Sequence, residues 1–153
     1  MTNAININPN DDTYYFTRAV LYHDILDKCE YAILDYTKAI ELGEEDVKLF
    51  VWRADCFMAL KKYEDAIIEF DKILEENPKH RDSLYQKGKI QHILGNYRES
   101  LDLFDKVLAF RPRDNEVLAA KGKSHDELEE YKEASESINK SLLVEDEVIY
   151  NDR

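Results

Sequence analysis

The chain superposes on itself when shifted by 34 residues. Pro78 and Pro112 lie 34 apart, Tyr63, Tyr97 and Tyr131 follow at the same step, and so do the pairs Phe70 and Phe104, Gly88 and Gly122. A basic column runs Arg18, Arg53, Lys87, Lys121 at steps of 35, 34 and 34. A fixed period of this length marks stacked supersecondary units, each too small to bury its own apolar face.

Each unit carries the apolar pattern of two amphipathic helices. Phe50, Ala54, Phe57 and Leu60 form one stripe, Lys61-Lys62 interrupts it, and Ala66, Ile67, Phe70, Ile73 and Leu74 form a second. Small residues recur where the first helix approaches its neighbour, at Ala19, Ala54, Gly88 and Gly122, and again on the second helix at Ala32, Ala66, Ser100 and Ala134. Larger side chains there would push the paired helices apart. The aromatic at the inter-helix turn, Tyr63, Tyr97 or Tyr131, is expected to fill the wedge between them.

Composition agrees with helices. There are only four Gly and three Pro in 153 residues, and 44% of the chain is apolar, enough for a core. The formal charge of −12 opposes non-specific attraction to nucleic acid or anionic lipid. No apolar run reaches the roughly 20 residues of a membrane span, and the N-terminus lacks the basic and apolar regions of a signal peptide. Cys29 and Cys56 make no metal or disulfide motif and suit a reducing, cytoplasmic setting.

The repeats resemble the tetratricopeptide repeat, a 34-residue helix pair. The second unit carries Phe50, Arg53, Ala54, Phe57, Ala66, Phe70 and Pro78; the third Leu84, Lys87, Gly88, Gln91, Ser100, Phe104 and Pro112. The fourth has Leu118, Lys121, Gly122, His125, Ala134 and Ile138, with Asp146 in place of Pro. The first has Tyr15, Arg18, Ala19, Tyr22, Ala32 and Tyr36, with Glu44 at the Pro position and one extra residue near Lys28-Cys29. The resemblance implies an all-α, right-handed helix-turn-helix solenoid of four units at 12–46, 47–80, 81–114 and 115–148. Residues 1–11, with "ININPNDD", fall in register as the end of a preceding repeat, and 149–153 are a tail. Asp11 and Asp12 read as helix caps.

In such a family the first helices line a concave wall that receives an extended peptide or a partner helix. The wall positions, projected from each first helix, are Phe16, Thr17, Val20 and His23; Val51, Trp52, Asp55 and Met58; Tyr85, Gln86, Lys89 and His92; Ala119, Ala120, Lys123 and Asp126. Of these, Phe16, Val20, His23, Val51, Trp52, Asp55, Met58, Tyr85, Lys89, His92 and Lys123 are the candidate groove residues. Exposed apolar side chains on such a wall mark an interaction site, with Trp and Tyr as anchors. The competing reading packs Trp52 between the first helices of units one and two, and lets Lys89 and Lys123 neutralise Asp55, Asp126 and Glu127.

The chaperone-tail carboxylate clamp known in this family is not expected here. Its positions hold Phe16, Val20, Trp52, Asp82 and Gln86, or, one unit later, Val51, Asp55, Gln86, Glu116 and Ala120, and neither set matches. No phosphate loop, His-Glu-x-x-His or Cys-x-x-Cys is present, so neither catalysis, cofactor nor metal is expected. His23 and His92 read as surface residues, His125 as a packing residue, His80 as a turn residue, and the thiols as small core residues. The expected function is a protein-protein interaction module. Its rival is assembly into a homo-oligomer through ends that look poorly capped, since "EDEVIYNDR" is short for a further helix. A piece of a longer repeat protein is the simplest origin for such ends.

Overall fold

The computed structural model describes residues 10–151, and for residues 144–151 the backbone alone. The stretch read as the end of a preceding repeat therefore lies largely outside the described residues, as do 152–153. Among the described residues the architecture is all-α: α1 Asp12–Val20, α2 Cys29–Glu41, α3 Val47–Ala59, α4 Tyr63–Glu76, α5 Arg81–Ile93, α6 Tyr97–Phe110, α7 Asn115–Glu127 and α8 Tyr131–Asn151. These are the paired helices of a helix-turn-helix repeat. No helix among the described residues is long and apolar enough to cross a membrane.

The starts of the first helices follow from local chemistry. Asp11, Asp46 and Asp114 cap α1, α3 and α7 by accepting from the backbone N–H of Thr13, Lys48 and Val117, and His80 caps α5 through Ser83. Each cap satisfies a donor that the first helical turn leaves unpaired.

The ends of the first helices also repeat. Lys62, Asn96 and Glu130 donate their N–H to the carbonyls of Phe57, Gln91 and His125, five residues back. The residues before them, Lys61, Gly95 and Glu129, take φ of 57°, 81° and 59°. This is the Schellman stop, in which one left-handed residue reverses the chain. In the first repeat the bond runs from Lys28 to Tyr22, six residues back, with Asp27 at φ 48°. The extra residue therefore lies upstream of Lys28-Cys29, where the sequence reading put it. It is absorbed by a π-helical turn, Leu21–Ile25, the usual way a helix takes in one residue.

The chain divides into two units, Met1–Ile73 and Leu74–Arg153, with the division inside α4. In the first, α1 packs on α2 and α2 on α3, around Ala19, Ala32, Tyr36, Ala39, Leu49 and the two cysteines. Buried ion pairs hold it as well. Arg18 forks onto Asp35 at 2.6 and 2.7 Å, which raises the guanidinium pKa. Arg53 donates to Glu69 at 2.7 Å and to Thr37 at 3.0 Å. Asp35 and Glu69 are thus buried, each beside its arginine.

In the second unit α5 packs on α6, α6 on α7 and α7 on α8, around Leu84, Leu103, Phe104, Val107 and Val117. The helices approach through glycine. A Cβ at Gly88 would stand 2.5 Å from the Phe104 ring, and one at Gly122 2.7 Å from Ile138. Lys121 pairs with Asp105 at 2.5 Å, on the helix before its own, whereas Arg18 and Arg53 pair with the helix that follows. The expected tail differs too. The last helix runs unbroken to Asn151, past Asp146, because that position lacks the Pro that would stop it. Tyr131, expected in the wedge, is 63% exposed.

Candidate functional site

On the wall of the first unit, the candidate residues close over one another. Phe16 stacks on Trp52 with ring centroids 5.6 Å apart and planes at 17°. Trp52 also lies against Tyr36 at 6.4 Å. The edge of His23 meets Tyr36 at 6.3 Å, with Nδ1 3.3 Å from the phenol oxygen. Phe16, Val20, His23, Val51, Trp52, Asp55 and Met58 are all half-buried. Phe16, Val20 and Trp52 pack against the core cluster, so Trp52 lies between the first helices of repeats one and two. Burial pushes the Tyr36 phenol and the Cys56 thiol well above their ordinary values, and the Cys29 thiol beside Cys56 adds to the effect there.

The wall of the second unit is open. Tyr85, Lys89, His92 and Lys123 come together with Ile93, Phe104 and Ala120 around a pocket of about 220 Å³, a space suited to one large side chain rather than to a drug-sized ligand. Phe104 and Ala120 give it an apolar wall. Lys89 Nζ stands 5.3 Å from the centroid of the Tyr85 ring and the Arg81 guanidinium carbon 4.7 Å. Arg81 is itself anchored to Asp114 at 2.9 and 2.8 Å and to Glu116 at 2.6 Å. Burial, with Glu116 adjacent, pushes the Tyr85 phenol up to about 12. His92 is half-buried at the recess: Nδ1 lies 3.0 Å from Ser124 Oγ, and its ring meets Tyr97 edge-on at 5.3 Å. Lys123 is exposed and forms no ion pair with Asp126 or Glu127 among the described residues.

The two walls occupy equivalent places in the repeat. Phe16, Val20 and His23 correspond in register to Tyr85, Lys89 and His92; Tyr36 corresponds to Phe104, Trp52 to Ala120 and Asp55 to Lys123. Where Trp52 covers Tyr36, Ala120 leaves Phe104 facing a cavity. Phe104 and Ile93 lie outside the candidate set: Phe104 belongs to the second helix of its repeat, beyond a projection of the first helices, whereas Ile93 falls within the wall arc between Lys89 and Gln86. The signal that finds them is the small residue at 120 opposite an aromatic one repeat earlier.

His23, Cys29 and Cys56 also converge, with one potential ligand atom from each lying within 4.8 Å of the other two. The sequence reading kept the thiols apart as core residues and the histidine as a surface one.

Two family models, both described as tetratricopeptide repeat, match residues 26–81 and 82–114. No curated protein matches the chain by sequence. Among solved structures, a crystal structure of MamA superposes with a TM-score of 0.88 at 15% identity, over 97% of this chain and 86% of that one. The structure of MamA 41-end from Desulfovibrio magneticus RS-1 gives 0.76 at 21% identity, over 87% and 75%. YrrB, described as a TPR protein with an unusual peptide-binding site, gives 0.80 at 20% identity, over 92% and 72%. At such identities the likeness is one of fold. With the family matches covering residues 26–114 and the helix pairs in register, the chain belongs to the tetratricopeptide repeat family.

Proposed function

We propose that the protein is a non-catalytic interaction module that binds a peptide segment or helix of a partner protein on the wall of its first helices. The principal recognition point is the pocket lined by Tyr85, Lys89, His92, Phe104, Ala120 and Lys123. One observation carries this reading: a small apolar recess beside two lysines, at a repeat position that the first unit fills with Trp52. Such a recess takes an apolar or aromatic side chain, and the two ammonium groups favour a carboxylate next to it. YrrB, of similar fold, is described as having a peptide-binding site, which supports the class of ligand. The stacked Phe16–Trp52 face then serves as a more rigid apolar contact. A cytoplasmic location fits two free, buried thiols.

Selection from a random peptide library tests the proposal. The wild-type protein is expected to enrich peptides with Asp or Glu beside a large apolar residue. The Ala120→Trp variant, which fills the recess, is expected to lose them. Equal enrichment by both proteins would refute the pocket as the recognition point.

A second reading has its own observation. Helix α8 leaves Tyr131, Ile138, Leu142 and Leu143 exposed at 63%, 42%, 53% and 63%, an apolar stripe suited to self-association. Sedimentation of a Leu142→Glu, Leu143→Glu variant checks it. Loss of a wild-type oligomer would favour assembly, and a wild type that is monomeric at all concentrations would dismiss it.

A further inference from the structure

We infer that His23, Cys29 and Cys56 form a binding site for a soft or borderline d¹⁰ cation of the Zn²⁺ class. One ligand atom from each residue lies within 4.8 Å of the other two. Around a tetrahedral Zn²⁺, with Zn–S of about 2.3 Å and Zn–N of about 2.0 Å, neighbouring ligand atoms stand roughly 3.5–3.8 Å apart. Side-chain movements of about an ångström close the observed triangle to that size. Two thiolates and an imidazole select such a cation over Mg²⁺ or Ca²⁺.

Three departures from the repeat meet at this point. The π-helical turn Leu21–Ile25 adds a residue to the end of the first helix and carries His23; π-turns of this kind are frequent at functional sites. Cys29 stands 34 residues before Tyr63, in the column that otherwise holds Tyr63, Tyr97 and Tyr131. Cys56 stands 34 residues before Ile90 and 68 before Ser124. In the second unit the equivalent places hold His92, Tyr97 and Ser124, a set without soft ligands. The histidine is common to both units, and the two thiols beside it are particular to the first.

The surroundings suit an ion. Cys29 and Cys56 are 5% and 0% exposed, and the side chain of His23 is 20% exposed. Tyr36 contacts the imidazole at 3.3 Å and holds the ring in place, the usual task of a neighbour to a metal-bound histidine. On binding, both thiols lose their protons to solvent as the two metal–sulfur bonds form.

The test uses the full chain, reduced and stripped of metal, titrated with Co²⁺ as a spectroscopic substitute and then with Zn²⁺. One equivalent of Co²⁺ is expected to produce a thiolate-to-cobalt charge-transfer band, abolished by one equivalent of Zn²⁺. Cys56→Ser and His23→Gln are expected to weaken binding at least tenfold, while Ser124→Ala leaves it unchanged. Should Cys56→Ser fail to fold by circular dichroism, alkylation of the wild type gives an independent readout. Zn²⁺ is expected to protect both thiols, and equal alkylation with and without Zn²⁺ would overturn the site. So would a charge-transfer band that survives in both single Cys→Ser variants.

Discussion

Tyr36 with Trp52 in the first unit and Phe104 with Ala120 in the second answer the same steric question in opposite ways. An aromatic on the second helix of one repeat faces a wall position on the next. In the first unit an indole covers it, at 6.4 Å between rings; in the second a methyl group leaves it lining a recess. The difference teaches that a repeat scaffold makes a pocket by subtraction. One small residue at one column leaves a recess where the other unit has an indole. The units also differ in what holds them. Arginine–carboxylate pairs serve both, Arg18 with Asp35 and Arg53 with Glu69 in the first and Arg81 with Asp114 in the second; the stack of Phe16 on Trp52 belongs to the first and close glycine contact to the second.

The largest expected effect tests the ion pairs. Glu69→Ala strips the partner from Arg53, whose side chain is only 9% exposed, and is expected to destabilise the first unit by about 3–5 kcal/mol. Urea denaturation followed by the fluorescence of Trp52, the single tryptophan, reads this directly. Trp52→Ala comes next, at about 2–3 kcal/mol for a half-buried indole, measured by circular dichroism. A loss below the error of the measurement would show that the stack on Phe16 contributes nothing.

Glycine contact gives a sharper contrast. Gly88→Ala is expected to cost about 1–3 kcal/mol, because the new methyl meets the Phe104 ring and an overpacked core must shift. The matching change in the first unit, Ala54→Gly, is expected to cost only about 0.5–1 kcal/mol, from helix propensity. Equal costs would erase this distinction between the units.

The smallest effect is a pH dependence confined to the second unit. Hydrogen bonds from Arg81 hold the Asp114 carboxyl below its ordinary value of 3.8, against the opposing effect of burial. A depressed folded-state value stabilises the protein fully above the ordinary value and ceases to do so as the pH falls through the depressed one. The wild type is therefore expected to lose stability more steeply below pH 3.8 than Asp114→Asn, in which the amide oxygen can still cap α7. Parallel curves in acid would remove Asp114 from the explanation.

Much of this fold is legible in the sequence because sterics repeat with the helix pairs. The small columns at Ala19 and Ala32 recur where backbones must approach, and Asp caps open three of the four first helices. The sequence places the inserted residue only approximately, near Lys28-Cys29, for a physical reason. A one-residue gap slides freely between fixed columns, and only the hydrogen bond from Lys28 to Tyr22 locates it. The partners of the basic column are hidden as well, since acids stand on both neighbouring helices. Arg18 reaches forward to Asp35 and Lys121 back to Asp105.

The candidate site is legible in part. Helical projection names Tyr85, Lys89, His92 and Lys123, which surround one recess, but a one-helix projection cannot supply its Phe104 floor. His23, Cys29 and Cys56 escape any spacing rule because the three come from different elements. Their proximity follows from the packing of those elements, as it does for His92, Tyr97 and Ser124 in the second unit.

The most direct measurement is the chemical shift of the Ala120 methyl group during titration with a peptide enriched by the wild-type protein. If the recess is the recognition point, the Ala120 resonance moves saturably, and the Trp52 indole N–H responds less. An Ala120 resonance that stays fixed while the peptide binds would contradict the claim that subtraction at this column makes the site.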